Sequence, residues 1–510
     1  MFVSELARHH IARRQHQAPQ ISNDSSQQTQ FAVPICFTSW NLKMATQKIE
    51  TPWQLFKQAV AGDTEIDYTQ GSIARVTLLL AIPMILEMAM ESVFAVVDIF
   101  FVAGLGTEAV ATVGLTEAMI TLLYAVAIGL SMGTTAMIAR RIGEKNTAAA
   151  SLAAGQAVWI GVFVSVFVGL IGIFYARNIL MLMGADEIVL ETGETYTRLM
   201  FGGCFTIVFL FLVNAIFRGA GDASLAMRAL TLANCINIVL DPCLIYGYGP
   251  FPELGLTGAA VATNIGRGIG MLYGLYYLFS GRGRIHLHLQ HLKIQLPVVI
   301  SLLRISAGGV SQFLIATASW VFLMQIVSGF GSEAVAGYTI AVRVVMFSIL
   351  PAWGLSNAAA TLVGQNLGAG LPERAEATVW KIVKYNSIYM GIASVLMLLF
   401  IHPIVEFFTQ EPVVVGYAVQ CLRIFAAAFV AWGAGMAIIQ AFNGAGDTMT
   451  PTWINLFCFW VVQVPLAYTL SLGLGLGPVG VFWSVFVADI LTGIVGFLVF
   501  RRGKWKLRMV

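Results

Sequence analysis

Charge is scarce in this chain. Of its 510 residues only 11% are Asp, Glu, Lys or Arg, while 58% are hydrophobic and the mean hydropathy is +0.80. Soluble globular chains carry about 25% charged residues, and a chain of this length needs them to cover its domain surfaces. An ordinary soluble enzyme is therefore excluded. The net charge of +3 leaves no basic field that would engage nucleic acid. The six cysteines (Cys36, Cys204, Cys235, Cys243, Cys421, Cys458) form no CxxC pair, and all but Cys36 lie in apolar runs, so packing thiols are expected rather than disulfides or a transition-metal site. No GxxxxGK[ST] phosphate loop occurs, and ATP by that route is not the energy source.

What is abundant is hydrophobic length. From residue 76 to residue 500 twelve apolar segments, each long enough to cross about 30 Å of hydrocarbon, follow one another with short polar breaks such as Gly104 to Glu108 and Arg140 to Asn146. They lack the two-residue alternation of barrel strands, so the fold class is an all-α integral membrane protein with twelve transmembrane helices. Residues 1–70 differ from all that follows. They are polar, Gln- and Ser-rich, and read as a disordered leader, with Met44 as an alternative start and a transit peptide as the rival reading. Basic residues concentrate in the loops after even-numbered spans and in the 504–510 tail, while the loops after odd-numbered spans carry essentially Arg177 alone. Both termini are thus expected on the cytoplasmic side of the plasma (inner) membrane.

The chain repeats itself. Gly106-Thr-Glu-Ala-Val-Ala111 recurs as Gly331-Ser-Glu-Ala-Val-Ala336, Gly129-Leu-Ser131 as Gly354-Leu-Ser356, Gly143 as Gly368, and Gly219-Ala-Gly-Asp222 as Gly444-Ala-Gly-Asp447, at a constant offset of 225 residues. Six spans separate equivalent positions, so the copies run parallel through the membrane about an axis along its normal. The expected architecture is two pseudo-symmetric six-helix lobes, 71–281 and 298–503, joined by a cytoplasmic loop, 282–297.

Ionisable groups inside spans are costly and mark function. The first span carries Glu87, Glu91 and Asp98, which at 100° per residue fall within about 40° on one face. They line a polar cavity or, for Glu87 and Asp98, lie near an interface or cap a neighbour. Pro83 removes a backbone hydrogen bond one turn earlier and makes that helix bendable. The fifth span offers Asn234, Asn237 and Asp241 on one face, and Asn214 and Thr263 add neutral oxygens. Carboxylates among neutral oxygens suit a proton or a small hard cation such as sodium.

These stretches resemble the MATE (multidrug and toxic compound extrusion) family, of the DinF-like and NorM-like bacterial type, over essentially all of residues 71–503. The resemblance rests on AIPM (81–84), VVDIFFVAGLG (96–106), GLSMGTTAMIARRIG (129–143), FRGAGD (217–222), NIVLDP (237–242), LVGQNLGAG (362–370) and FNGAGD (442–447). It implies that Asp98, Asn214, Asn237, Asp241 and Thr263 form a coupling-cation site in the N-terminal lobe and that Pro83 is the bending proline of the first helix. Neither 298–328 nor 413–442 contains an acid, which again directs coupling to the N-terminal lobe. Glu91 stands where the family has Gln, and Glu87 where it is apolar, so both are expected to titrate or to bind cationic substrate.

Aligning Gly258 with Gly480 superposes Arg267 on Asp489, which are expected to pair across the lobes, to pair each within its own lobe, or to bind substrate. Arg343 reads as structural, and His286, His288 and His291 as a solvated loop. Large aromatics of the second lobe (Trp320, Phe347, Trp353, Phe425, Phe429, Trp432, Trp453, Phe457, Trp460, Trp483) and the 20 methionines suit an adaptable apolar pocket. The expected function is a monomeric, H+- or Na+-coupled antiporter, not an enzyme and without a cofactor, exporting amphipathic cationic organic compounds. The alternatives are a lipid-linked oligosaccharide flippase, which would commonly have fourteen spans and a strongly basic cavity, and a membrane-embedded enzyme.

Overall fold

The structure, a computed structural model, describes residues 51–62 and 66–508. The leader expected over 1–70 lies outside the described residues up to 50, and its described end departs from the expectation. Pro52–Ala61 is a helix (α1), started by a Thr51 capping box in which Thr51 and Gln54 satisfy each other's backbone N–H groups. Its buried Ala59, with Leu55, packs on the first span. Hydrogen bonds from Lys145 (2.6 Å) and Thr69 outweigh partial burial and hold the Asp67 carboxyl at a pKa of about 2, so the clasp between the segment after α1 and the loop that carries Lys145 stays ionised across physiological pH.

The spans follow as α2 (Ile73–Ala103), α3 (Thr107–Gly143), α4 (Thr147–Leu182), a fourth span broken at Gly203 into α5 (Glu187–Gly202) and α6 (Cys204–Ala220), α7 (Ala223–Tyr246) and α8 (Leu256–Ser280). The second lobe contains α9 (Leu296–Ser328), α10 (Ser332–Gly368), α11 (Pro372–Leu399), the short α12 (Ile401–Glu406), α13 (Pro412–Gly444), a span over Met449–Gly473 and, after it, Pro478–Arg501. Ten of these spans are long and apolar enough to cross a membrane on length and composition. The remaining two of the twelve, α2 and α8, carry ionisable residues mid-helix: Glu87, Glu91 and Asp98 in one, Arg267 in the other. The span Met449–Gly473 is π-helical over Leu456–Gln463 and Thr469–Gly473. Pro465, which has no N–H to donate to the preceding turn, sits between the two π segments.

The repeat is visible as geometry. Gly143 at the end of α3 and Gly368 at the end of α10 lie back to back. A Cβ on Gly143 would collide with the backbone of Gln365, and one on Gly368 with the backbone of Arg140, positions related by the same 225-residue offset. Hydrogen bonds between lobes lie at this end: Thr361 Oγ1 donates to the Arg218 carbonyl (3.0 Å) and Gln365 Nε2 to the Gly219 carbonyl (3.1 Å). Each GAGD aspartate then pairs with an arginine beyond the last helix of its own lobe, Asp222 with Arg284 and Asp447 with Arg508, both at 3.1 Å. The lobes therefore close where the basic loops are. The loop 282–297 belongs to this end: His288 and His291 frame a single 3-10 turn, and Gln156 of α4 donates to the carbonyls of His291 and Lys293.

Valine at position 143 or 368 should prevent this closure. Spin labels on opposite lobes at the basic end are expected to move apart in either variant; an unchanged distance distribution would show that the glycine contact does not limit closing.

Candidate functional site

The face of α2 predicted from spacing is real, but its three acids reach three different environments. Glu87, 1% exposed, accepts hydrogen bonds at Oε1 from Arg218 (2.8 Å) and Asn214 Nδ2 (3.1 Å), both on α6. One turn on, Glu91 accepts from Asn234 Nδ2 of α7 (3.1 Å) and from Arg267 of α8 (3.4 Å). The Arg267 guanidinium, 4% exposed, also lies 5.2 Å from the Phe94 ring and 5.9 Å from that of Tyr124. Asp98, two turns further, has no arginine bonded to it and stands within electrostatic reach of Arg267, Glu117 and Asp241.

A neutral cluster surrounds Asp241, which is fully buried. Asn237 Nδ2 donates to Asp241 Oδ1 and to Thr263 Oγ1, both at 3.2 Å, while Asp241 Oδ2 and Asn237 Oδ1 have no hydrogen-bond partner among the described residues. The five residues implied by resemblance are thus divided. Asn237, Asp241 and Thr263 converge, and Asp98 faces them. Asn214 instead orients Glu87, because it lies one turn before Arg218 on the same helix face. Pro83 is buried in an α2 that is unbroken across it.

Of the readings open for Arg267 and Asp489, pairing across the lobes is not seen among the described residues; Arg267 pairs within its own lobe, with Glu91 and beside two aromatic rings. Arg218, read from sequence as a loop cation, is the partner of Glu87. The signal was available in the repeat: FRGAGD against FNGAGD sets Arg218 opposite Asn443, and the same offset sets Glu87 opposite Gln312. In the second lobe those two amides hydrogen-bond each other, Gln312 Nε2 to Asn443 Oδ1 at 3.2 Å. One lobe holds an ion pair where the other holds its neutral counterpart.

Two cavities adjoin these groups. The first, about 260 Å³, lies between the lobes and is lined by Glu87, Glu91, Asn214 and Arg218 on one side and by Trp353, Asn357, Gln440 and Asn443 on the other. The second, about 530 Å³, lies in the second lobe among Trp320, Trp353, Trp432, Phe313 and Phe459, with Met346 and Met436. Leu350, Trp353, Met132 and Gln440 wall both. Of the aromatics singled out from sequence, Trp320, Trp353 and Trp432 line this cavity, Phe425 and Phe429 pack in the core, and Phe347, Trp453, Phe457 and Trp483 are exposed on the helix surfaces.

The MatE family model matches residues 83–243 and 310–469, one copy in each lobe. The chain belongs to the MATE family. Among its relatives, "Probable multidrug resistance protein YoeA" of Bacillus subtilis (strain 168) is 27% identical over 87% of this chain and 96% of its own length. "Probable multidrug resistance protein NorM" of Thermotoga maritima is 27% identical over 84% and 93%. A solved structure described as the outward-facing conformation of a multidrug resistance MATE family transporter of the MOP superfamily matches with a TM-score of 0.82 at 28% identity, covering 86% of this chain and 98% of that one. The twelve-span, two-lobe reading is therefore that of a MATE multi-pass membrane transporter.

The two lobes suggest their own test. Glu87→Gln alone strands a buried guanidinium and should cost roughly 3–5 kcal/mol of stability. Adding Arg218→Asn rebuilds the amide pair of the second lobe and should recover most of that loss in thermal unfolding of the detergent-solubilised protein. A double variant no more stable than the single would contradict the equivalence.

Proposed function

We propose that this transporter is a cation-coupled antiporter that exports amphipathic, cationic organic compounds by alternating access, with the coupling cation, H+ or Na+, exchanged in the N-terminal lobe. The observation that carries this reading is the distribution of counter-charges along α2 and α7. Glu87 and Glu91 each have a bonded arginine, and a carboxylate neutralised in that way is a poor exchangeable site. Asp98 and Asp241 have none. A proton or a sodium ion supplies the missing charge, and Asn237 and Thr263 provide the neutral oxygens a hard cation needs.

The cycle follows from electrostatics. Loading Asp98 and Asp241 removes net negative charge from the N-terminal lobe, and this change in charge balance drives the rearrangement that expels the compound. Pro83, beside the contact of Met84 with Gly354 on α10, gives α2 a point at which it bends as the charge changes. Closure at the basic end corresponds to the outward-facing state, with that end and both termini in the cytoplasm and the chain in the plasma (inner) membrane. The protein works as a monomer with no organic cofactor. A flippase fits less well: the first cavity is lined by two acids and one arginine rather than by a basic field.

Asp98→Asn and Asp241→Asn should each reduce gradient-driven efflux of an ethidium-like dye from everted vesicles to background at unchanged protein level. Collapsing the proton and sodium gradients separately identifies the coupling ion. Wild-type rates in either variant would remove the basis for coupling in this lobe.

A further inference from the structure

Asp489 plays no part in the account so far. It lies midway along the last span, Pro478–Arg501, is 7% exposed, and its Oδ2 has no hydrogen-bond partner among the described residues. It is one of the residues lining the 530 Å³ cavity of the second lobe, and among the described residues no Lys, Arg, Glu or second Asp lines it. A buried carboxylate with neither a cation nor a full set of donors is expensive and is retained only where something outside the chain supplies the missing charge.

The repeat shows what is missing. Asp489 occupies the position of Arg267 in the first lobe. Arg267 is completed there by Glu91 and covered by Phe94 and Tyr124. At the equivalent second-lobe positions, 225 residues on, stand Ala316, Ser319 and Ile349. The internal partner has been replaced by a methyl group and the covering rings by smaller side chains, which leaves a space where the first lobe has a closed pair. That space is bounded by Trp320, Trp353 and Trp432, whose ring faces attract cations. A separate feature marks the same wall. Phe459 and Gln463 reach it from the π-helical stretch Leu456–Gln463, a geometry frequent at functional sites.

We propose that this cavity is a binding site for a bulky lipophilic organic monocation, with Asp489 as its counter-ion and the three tryptophans as its aromatic walls. The site deepens the export reading, since it rests on the chain carrying cationic organic compounds, and it places their recognition in the opposite lobe from the coupling acids. An alkali cation is disfavoured as the occupant because sodium requires several converging oxygens. Gln312, Thr317, Gln440, Asn455, Gln463 and Thr492 also line the cavity, but the side-chain oxygens of Gln312 and Gln440 already accept hydrogen bonds from Asn443 and that of Gln463 from Ser319. Leu350, Trp353, Met132 and Gln440, shared with the interlobe cavity, form the boundary through which an occupant is felt by the first lobe.

The test is equilibrium binding of tetraphenylphosphonium to the purified full-length protein in detergent, followed by tryptophan fluorescence and by calorimetry. Asp489→Asn should weaken binding roughly tenfold or more, Asp489→Glu should restore part of it, and Trp432→Leu should weaken it several-fold without a change in charge. If Asp489→Asn fails to fold, Trp432→Leu decides: a several-fold loss of affinity in that variant supports the site. Wild-type affinity in Asp489→Asn, or in Trp432→Leu where the first variant is unfolded, overturns the assignment, as does displacement of tetraphenylphosphonium by millimolar sodium that persists in an Asp98→Asn/Asp241→Asn double variant. The same variants separate this inference from the coupling scheme. Asp98→Asn should lose transport yet bind tetraphenylphosphonium normally; loss of transport there with unaltered binding in Asp489→Asn sinks only the present site.

Discussion

A carboxylate in the middle of a bilayer must be neutralised, by an arginine, by a proton or by a bound cation, because no solvent is present to stabilise it. The structure of the first lobe follows from that constraint. Arg218 and Asn214 on α6 and Arg267 and Asn234 on α7 and α8 are drawn toward the single acidic face of α2, and these contacts help fix how the helices of the lobe pack. Pairs of this kind hold the helices in register at a desolvation cost. Asp98 and Asp241 remain outside them, so their neutralisation must come from elsewhere.

Duplication makes the asymmetry readable. Both lobes keep the glycines that let α3 and α10 close on each other and the GAGD aspartates that pair with Arg284 and Arg508. What differs is polarity inside. Glu87 and Arg218 become Gln312 and Asn443, and Glu91 and Asp98 become Ala316 and Leu323. The framework that closes the transporter has been kept in two copies, while the acidic face of the first span and the arginines that meet it are found in one. In the proposed cycle, two rigid lobes of which one is charge-sensitive link cation occupancy to rocking about the closed end.

Much of this was legible in the sequence. Hydropathy gives the spans, Lys and Arg placement marks the basic end, and the 225-residue offset gives the two lobes, because each is a property of spacing that the bilayer enforces. The shared face of Glu87, Glu91 and Asp98 follows from helical period alone. Their partners do not, since which arginine meets which acid depends on how α6 and α8 rotate against α2, and period does not determine rotation. Hence Arg218 reads as a loop cation, Asn214 as a cation ligand, and the partner of Arg267 stays open between its own lobe and the other. The α1 helix was obscured by its neighbours in a polar stretch, although Thr51-Pro-Trp-Gln54 carries a capping-box signature.

The central claim is that the unpaired acids of the first lobe hold the cation that substrate displaces. It is tested most directly by the cation released when a cationic substrate is added to the purified protein, followed as protons with a pH indicator in weak buffer and as sodium with a selective electrode. The account predicts release by the wild type and none by an Asp98→Asn/Asp241→Asn double variant that still binds substrate. Equal release by that variant would contradict it.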